Sequence, residues 1–393
     1  MPITPHKTAI VLASAALMAI LGSAAPVQAA AADSARLEIY GFIQMDGIYD
    51  FNRVDPSWNS TLRPSKIPVN CPGDAGCGPD GETIFSVRQT RLGFNGFIPT
   101  DMGQLKTKFE FDMFGTGSDA GKTTIRLRHA YGELGEYLVG QTNSLFMDGD
   151  VFPNTIDYWG PSGMIFFRNM QARWTFLNQG GTKAAVALEA PGAAVDAGQT
   201  VVIDPTLNFT SWNKYPDLTG QYRAETAWGH FQVAGILRWL GYQSATGTIS
   251  GNETGYGVNL SGTFKTVDKD KILAQLAYGH GIANYFNDGG VDLAPNSSLN
   301  AESVPITGWL VYYDKYWNTK WSSSIGYSEA VQDNSGGQTA DAFHAGRYFS
   351  VNALHYPTKN VMIGAEFLWG ERENKNGNTG SDSRIQFSAK YNF

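Results

Sequence analysis

Basic side chains recur at every second position in two neighbouring segments of this sequence. Lys106 and Lys108 alternate with apolar residues in LKTKFEFDMF, and Arg126 and Arg128 do the same in TIRLRHAYGE. In a β-strand this spacing puts both side chains on one face. An arginine stays charged at any physiological pH, and its planar fork pairs with carboxylates. The spacing therefore predicts reversible binding of anions along one face of a sheet.

Further charged residues extend this pattern. Arg91, Arg173, Arg223 and Arg238 take the same face of their own predicted strands, and the segment TNSLFMDGDVFPNTIDYWGPSG carries Asp148, Asp150 and Asp157. A second interpretation stays open, in which the basic residues pair with Glu110, Asp112, Glu133 and Glu225 and only stiffen the sheet. Two positions fit the alternation poorly. Arg88 and Arg91 have opposite parity, so one faces outward unless a bulge intervenes, and His129 takes the apolar face.

Motifs for catalysis or metal binding are weak. AGKTT at 120–124 resembles part of a phosphate-binding loop, but the glycine that such a loop needs is replaced by Thr116. The sequence contains no G-x-S-x-G or H-E-x-x-H run, and its histidines form no ligand pattern. We therefore predict no enzyme activity, no cofactor and no metal. A hydrolase site assembled from distant residues is the alternative.

The elements that position these residues are alternating strands. Sixteen segments between residues 37 and 393 alternate apolar and polar positions, and seven of their connections are short whereas the others are long and polar. Charges at every second position cannot fill a dry interior, so the charged face must meet water and the apolar face lipid. The predicted fold class is all-β, an antiparallel transmembrane β-barrel of about 16 strands, wide enough to hold a water channel.

The beginning of the chain predicts export. Lys7 precedes an uncharged run and the small-x-small pattern Val27-Gln28-Ala29, which is typical of a secretory signal peptide over residues 1–29. A single membrane-anchoring helix is the alternative. Residues 30–393 then form the barrel domain. The net charge of -7 argues against a nucleic-acid partner. Cys71 and Cys77 are expected to form a disulfide in an exported protein, with two free thiols as the alternative.

The last strand, RIQFSAKYNF, resembles the C-terminal sorting signature of outer-membrane proteins, which ends in aromatic-x-Phe. This resemblance implies location in the Gram-negative outer membrane, contact with its lipid, and recognition of Phe393 by the barrel-assembly machinery. In general porins the connection after the fifth strand folds inward. The resemblance therefore implies that the loop with Asp148, Asp150 and Asp157 forms a constriction that faces the wall arginines.

RLEIYGFIQMDGIYDF, SVRQTRLGFNGF and VGQTNSLFMD resemble the DcaP-like trimeric porin family. The resemblance is clearest between Arg36 and Phe176. It implies a homotrimer of 16-stranded barrels that takes up small organic anions, including dicarboxylates. We expect a porin for passive diffusion of small hydrophilic solutes with a preference for organic anions. A nonselective general porin is the alternative within the same class.

Overall fold

A computed structural model describes residues 34–393, so the predicted signal peptide at 1–29 lies outside the described residues. The strands are β1 (Arg36–Asp50), β2 (Glu82–Ser86), β3 (Arg91–Thr100), β4 (Gly103–Phe114), β5 (Thr123–Leu134), β6 (Tyr137–Asn143), β7 (Arg168–Gln179), β8 (Thr182–Glu189), β9 (Phe209–Ser211), β10 (Asp217–Thr226), β11 (Gly229–Ser244), β12 (Ser250–Lys265), β13 (Lys271–His280), β14 (Leu293–Pro295), β15 (Ala301–Ser303), β16 (Pro305–Asn318), β17 (Trp321–Gln332), β18 (Phe343–Thr358), β19 (Val361–Asn374) and β20 (Thr379–Asn392). One α-helix (Gln199–Ile203) and the 3-10 turns Pro56–Trp58, Pro64–Lys66, Gly117–Asp119, Gly149–Val151, Pro205–Leu207 and Ala283–Tyr285 lie in the connections.

The strands form one closed antiparallel barrel. Each wall strand pairs with its neighbours in the chain, and β1 pairs with β20 from Phe42↔Asn392 to Asp50↔Arg384, which closes the ring. The segments β2 and β3 both pair with β1 and together make one wall strand, interrupted at residues 87–90. The three-residue strands β9, β14 and β15 belong to the connections. The barrel therefore has the 16 strands that the alternating pattern predicts.

Apolar side chains cover the outside of the barrel, and polar side chains point inward. In β11 the exposed Phe231, Val233 and Trp239 alternate with the buried Gln232 and Arg238. This period of two separates an apolar surface from a polar interior, as a barrel in lipid requires. Across residues 34–393, no helix has the length and apolar character needed to cross a membrane.

Two irregularities change which way side chains point. The interruption at 87–90 resets the alternation, so that Arg88 and Arg91 both face inward. In β5 the register shifts, because Leu127 pairs with Phe111 and His129 pairs with Glu110, the next residue of β4. Arg128 is thus the extra residue of a bulge. His129 is buried beside Thr142, with Nδ1 at 3.0 Å from Oγ1, so the expectation that it faces outward is wrong.

Short turns and long loops lie at opposite ends of the barrel, and three long loops fold into the lumen. We call them the first loop (51–81), the constriction loop (144–167) and the sixth loop (281–304). Their buried apolar residues pack on one another and on the wall. In the largest cluster Phe146 and Ile165 of the constriction loop contact Tyr285 and Phe286 of the sixth loop. The apolar core of this protein therefore lies between loops and wall.

Candidate functional site

A cavity of about 1100 Å³ lies in the lumen between the wall and the three inward loops. Its basic lining residues are Arg63, Lys66, Arg91, Arg126, Arg128, Arg168, Arg372 and Lys390, and its acidic ones are Asp157 and Asp288. The lining is therefore mainly cationic. The wall part of this lining comes chiefly from β5, together with residues of β3, β6 and the start of β7, and with single residues of β1, β18, β19 and β20.

Three wall arginines surround two carboxylates. Arg126 Nη2 lies 2.8 Å from Asp112 Oδ2, and Arg128 Nη1 lies 2.9 Å from the same oxygen. Arg128 Nε also contacts Glu110 Oε1 at 2.7 Å, while Arg91 Nε lies 3.7 Å from it. The bulge at Arg128 permits this double contact, because it places an additional inward residue between the two acids. These ion pairs hold the guanidinium groups in fixed positions along the wall.

Two further basic side chains, Lys108 and Arg168, belong to this cluster and bring no additional carboxylate. Lys108 Nζ lies 3.8 Å from Glu110 Oε2. Arg168, which begins β7, stacks over the ring of Phe166 at 5.0 Å, and among residues 34–393 its Nη1 has no hydrogen-bond partner. Four basic side chains thus share Glu110 and Asp112, and Arg168 is a fifth cation of the cluster, which therefore keeps a formal surplus of three positive charges.

Asp148 of the constriction loop is bound to the wall and faces away from this cluster. It accepts hydrogen bonds from Ser261 at 2.8 Å and Arg223 at 3.2 Å, and His230 Nε2 lies 2.8 Å from its Oδ2. Burial opposes ionisation of Asp148, but these hydrogen bonds and the charges of His230 and Arg223 outweigh it and hold its pKa below the usual value. Asp150 contacts Arg223 at 2.6 Å.

Asp157 is also a tether. It accepts hydrogen bonds from Thr61 Oγ1 at 2.7 Å and from the Leu62 amide at 3.1 Å, both in the first loop. The Tyr348 hydroxyl of β18 donates to it at 3.1 Å. The loop acids therefore do not form the acidic side of a constriction opposite the arginines, as the sequence led us to expect. The reason is that donors on the wall and the first loop lie closer to them.

Aromatic side chains of the constriction loop face the arginine cluster instead. The Tyr158 hydroxyl donates to Asp112 and accepts from Arg128 Nη1 at 3.1 Å, and its ring stacks on Phe114 at 3.9 Å between centroids. Trp159 meets Trp58 of the first loop edge to face at 4.9 Å. The channel is therefore narrowed by cations on the wall and aromatic rings on the loops.

The sixth loop holds the first loop in the lumen, a feature that sequence reasoning missed. Asp288 Oδ1 lies 2.7 Å from Arg63 Nη2, and its two oxygens accept from the Ser65 amide and hydroxyl at 2.8 and 2.6 Å. The Arg63 guanidinium lies over the rings of both Trp58 and Trp159, at 4.1 and 4.3 Å from their centroids. The apolar residues of the sixth loop were the available signal, since a solvated loop has little use for them.

The remaining predicted basic residues lie inside the barrel in different settings. Lys106 pairs with Glu133 at 3.4 Å near a short turn. Arg173 donates to Gln171 at 2.9 Å and to the Asn143 carbonyl at 2.6 Å, and no carboxylate among the described residues pairs with it. Arg223 is bound by three carboxylates, Asp148, Asp150 and Glu225. Asp148, Asp150 and His230 could together ligate a metal, but the Arg223 guanidinium already occupies both carboxylates.

Arg238 corrects the sequence prediction of a pore-lining residue. Its side chain faces inward but is fully buried, and it pairs with Asp217 at 3.0 Å and Asp292 at 3.1 Å. The sixth loop covers it, so it fixes that loop to the wall. Cys71 and Cys77 of the first loop are joined by a disulfide.

The model of the DcaP outer membrane protein family matches residues 22–393, which is nearly the whole sequence. The chain belongs to the DcaP outer membrane protein family. The family and the closed 16-stranded barrel place this DcaP-family protein in the Gram-negative outer membrane as a porin. Its short turns, with the start of β1 and the end of β20 beside them, face the periplasm, and its long loops face the exterior.

Solved structures with this fold include other porins. The outer membrane channel DcaP of Acinetobacter baumannii superimposes with a TM-score of 0.76 at 22% identity, over 93% of this chain and 100% of that one. The anion-selective porin from Comamonas acidovorans has a TM-score of 0.59 at 10% identity, over 91% and 100%. A trimer form of OmpT from Vibrio cholerae has 0.53 at 11%, over 92% and 100%. Among functionally curated proteins no significant match was found.

Proposed function

We propose that this DcaP-family porin conducts small organic anions, including dicarboxylates, by passive diffusion and performs no catalytic step. One observation carries the proposal. Eight basic side chains line the lumen cavity against two acidic ones, and both acids are buried and held by hydrogen bonds. An entering carboxylate therefore meets donors along the wall and little repulsion from fixed negative charge.

The expected strength of binding suits a channel. At 4 Å one cation attracts a carboxylate by about 1 kcal/mol in bulk water and about 4 kcal/mol near a protein surface. Loss of hydration offsets part of this attraction. A solute must leave as readily as it enters, so weak and repeated contacts favour flux. Arg91, Arg126, Arg128 and Arg168, which line the cavity, supply such contacts.

Reversal potentials in planar bilayers under a KCl gradient test the selectivity, and liposome swelling with monocarboxylates, dicarboxylates and neutral sugars of matched size tests the substrate class. We expect a reversal potential of the sign set by chloride and faster swelling with the carboxylates. A zero reversal potential with equal swelling rates would favour the nonselective porin. Turnover of a lipid or ester by the purified protein would favour the barrel hydrolase.

We further propose that the porin is a homotrimer whose subunit contact covers a gap in the strand pairing of the wall beside β5. Strand β6 pairs with β5 only from Ala130 onward, because the chain leaves the wall after Asn143, the last residue of β6, and enters the constriction loop. The edge of β5 from Thr123 to His129 therefore has backbone groups that lipid cannot satisfy, and Ile125 beside it is 68% exposed. The trimer form of the similar barrel of Vibrio cholerae OmpT supports the same assembly.

Leu127→Gln tests this contact, with Leu276→Gln as the matched control on β13. Both side chains are exposed on the apolar surface, at 41% and 50%, and both variants make the same change in lipid. Analytical ultracentrifugation in detergent should show dissociation of the Leu127 variant alone. Equal assembly of the two variants contradicts the proposed contact.

A further inference from the structure

The outer rim of the barrel carries an aromatic notch that shares no residue with the lumen cavity. It is lined by Trp212, Lys214, Tyr215, Trp239, Gly241 and Asn252. Trp239 lies at the loop end of the apolar stripe of β11, above the exposed Val233 and Leu237. The notch is therefore on the lipid-facing surface, at the height where the outer leaflet changes from acyl chains to headgroups.

Local backbone geometry builds the notch. The short strand β9 and the residues after it continue the wall beside β11, and the Trp212 amide donates to the Gly241 carbonyl at 2.9 Å. The Gly241 amide in turn donates to Asn213 Oδ1 at 2.9 Å. A Cβ at Gly241 would collide with the Trp212 carbonyl oxygen, so this position needs glycine. The floor of the notch is thus bare backbone, and its sides are aromatic rings.

Lys214 provides the charge of the notch. Its Nζ lies 4.5 Å from the centroid of the Trp212 ring, and within the described part of the chain it forms no ion pair. Tyr215 packs against Trp239 with ring centroids 6.3 Å apart. A cation held over a ring keeps its capacity to bind an anion, because the ring neutralises no charge. The space is about 20 Å³, too shallow to enclose a small molecule and suited to the edge of a headgroup.

We propose that this notch binds the phosphorylated diglucosamine headgroup of the outer-leaflet glycolipid. Lys214 contacts a phosphate, the rings of Trp212 and Trp239 lie against the sugar and the first acyl carbons, and Asn252 offers an amide at the rim. The charge favours an anionic headgroup, and the aromatic rings favour an amphiphile at an interface. This site is separate from the cationic lumen and does not depend on the selectivity of the channel.

Native mass spectrometry of the purified porin in detergent, titrated with diphosphoryl lipid A, tests the proposal. We expect Lys214→Gln to weaken binding about fivefold, the effect of one exposed charge pair worth about 1 kcal/mol. Lys214→Arg should retain binding because it retains the cation. Lys122→Gln is the matched control, since Lys122 is an exposed lysine of another outer loop and pairs with Asp119 at 3.2 Å.

Two outcomes overturn the proposal. Binding that is equal in Lys214→Gln and the unchanged protein removes the role of the lysine. Displacement of the lipid by millimolar inorganic phosphate means that the notch recognises free phosphate and not the lipid. Lys214 is exposed, so its substitution is compatible with folding, and the heat-dependent shift in electrophoretic mobility that folded barrels show verifies this for each variant.

Discussion

Arg168→Gln removes a lumen cation that has no carboxylate partner within residues 34–393, and it should lower the anion selectivity of the channel. Arg91, Lys108, Arg126 and Arg128 share Glu110 and Asp112, so neutral glutamine lowers the formal surplus of the cluster from three charges to two without leaving an acid unpaired. At 4 Å in water one charge is worth about 1 kcal/mol, a factor of about five in local ion concentration. The factor acts in opposite directions on anions and cations.

Screening reduces this effect, because the Debye length is about 10 Å at 0.1 M salt. We therefore expect the anion-to-cation permeability ratio of Arg168→Gln to fall between about threefold and tenfold at low ionic strength, and less at about 1 M. The assay is the reversal potential under a roughly tenfold KCl gradient, where ideal selectivity for one ion gives about 59 mV.

Two further variants separate lumen charge from other effects. Arg168→Lys keeps the charge and should keep the permeability ratio. Lys359→Gln removes the same charge from an exposed periplasmic turn between β18 and β19, outside the lumen, and should also leave the ratio unchanged. An unchanged ratio in Arg168→Gln, or an equal fall in Lys359→Gln, would refute the assignment of selectivity to the lumen cluster.

Other predictions concern the loops and the last residue. Asp288→Asn removes the charge that holds Arg63 and should increase open-channel current noise in single-channel recordings. Unchanged current noise would contradict the role of Asp288 in holding the first loop. Asp148 has a lowered pKa, so its ionised form stabilises the loop fully above the unfolded pKa of about 4. This stabilisation is lost only as the pH falls through the lowered pKa, so the conductance of the native channel should remain constant down to about pH 4. The conductance of Asp148→Asn should fluctuate already at neutral pH. Arg238→Ala leaves two buried acids unpaired and should lower the unfolding free energy in urea by about 3–5 kcal/mol; an unchanged midpoint contradicts its structural role. Phe393→Ala should reduce the folded protein recovered from outer membranes without changing refolding into detergent; equal recovery contradicts recognition of Phe393.

The wall could be predicted from the sequence because one physical contrast acts on every strand. Lipid outside and water inside impose a period of two, and the period marks where each strand begins and ends. The alternating segment LKTKFEFDMF lies within β4, Gly103–Phe114, and the alternating segment TIRLRHAYGE lies within β5, Thr123–Leu134. Turns were recognisable for the same reason, because the alternation stops there.

Departures from that period could not be placed from the sequence. The bulge at Arg128 turns His129 inward, and the interruption at 87–90 turns both Arg88 and Arg91 inward. The residue types do not give the position of either irregularity, since a bulge depends on how two strands pair. The sequence does indicate an irregularity near Arg88 and Arg91, because two arginines of opposite parity cannot both face water on a regular strand.

The burial of lumen-facing side chains could not be predicted in the same way. The alternation in a strand assigns a side chain to the lumen face, but it does not show whether a loop covers that side chain. Arg238 and Arg126 have the same parity, yet Arg238 is fully buried and Arg126 lines the cavity. The difference is the sixth loop, which contributes Asp292 to Arg238. Predicting it would have required reading the apolar residues Tyr285 and Phe286 as a sign that the loop returns to the barrel.

The loops also determine the sign of the charge in the channel. A constriction loop that turned its acids toward the arginines would place negative charge on one side of the channel and positive charge on the other, and so create an electric field across the channel. Here Asp148 is bound to the wall, and Asp157, which lines the cavity, is buried and accepts hydrogen bonds from the first loop, so both carboxylates are satisfied by protein donors. The acids that attach the loop therefore offer little free negative charge to a permeating anion. Attachment and anion preference are therefore coupled, and a variant that frees Asp157 from Thr61 should weaken both.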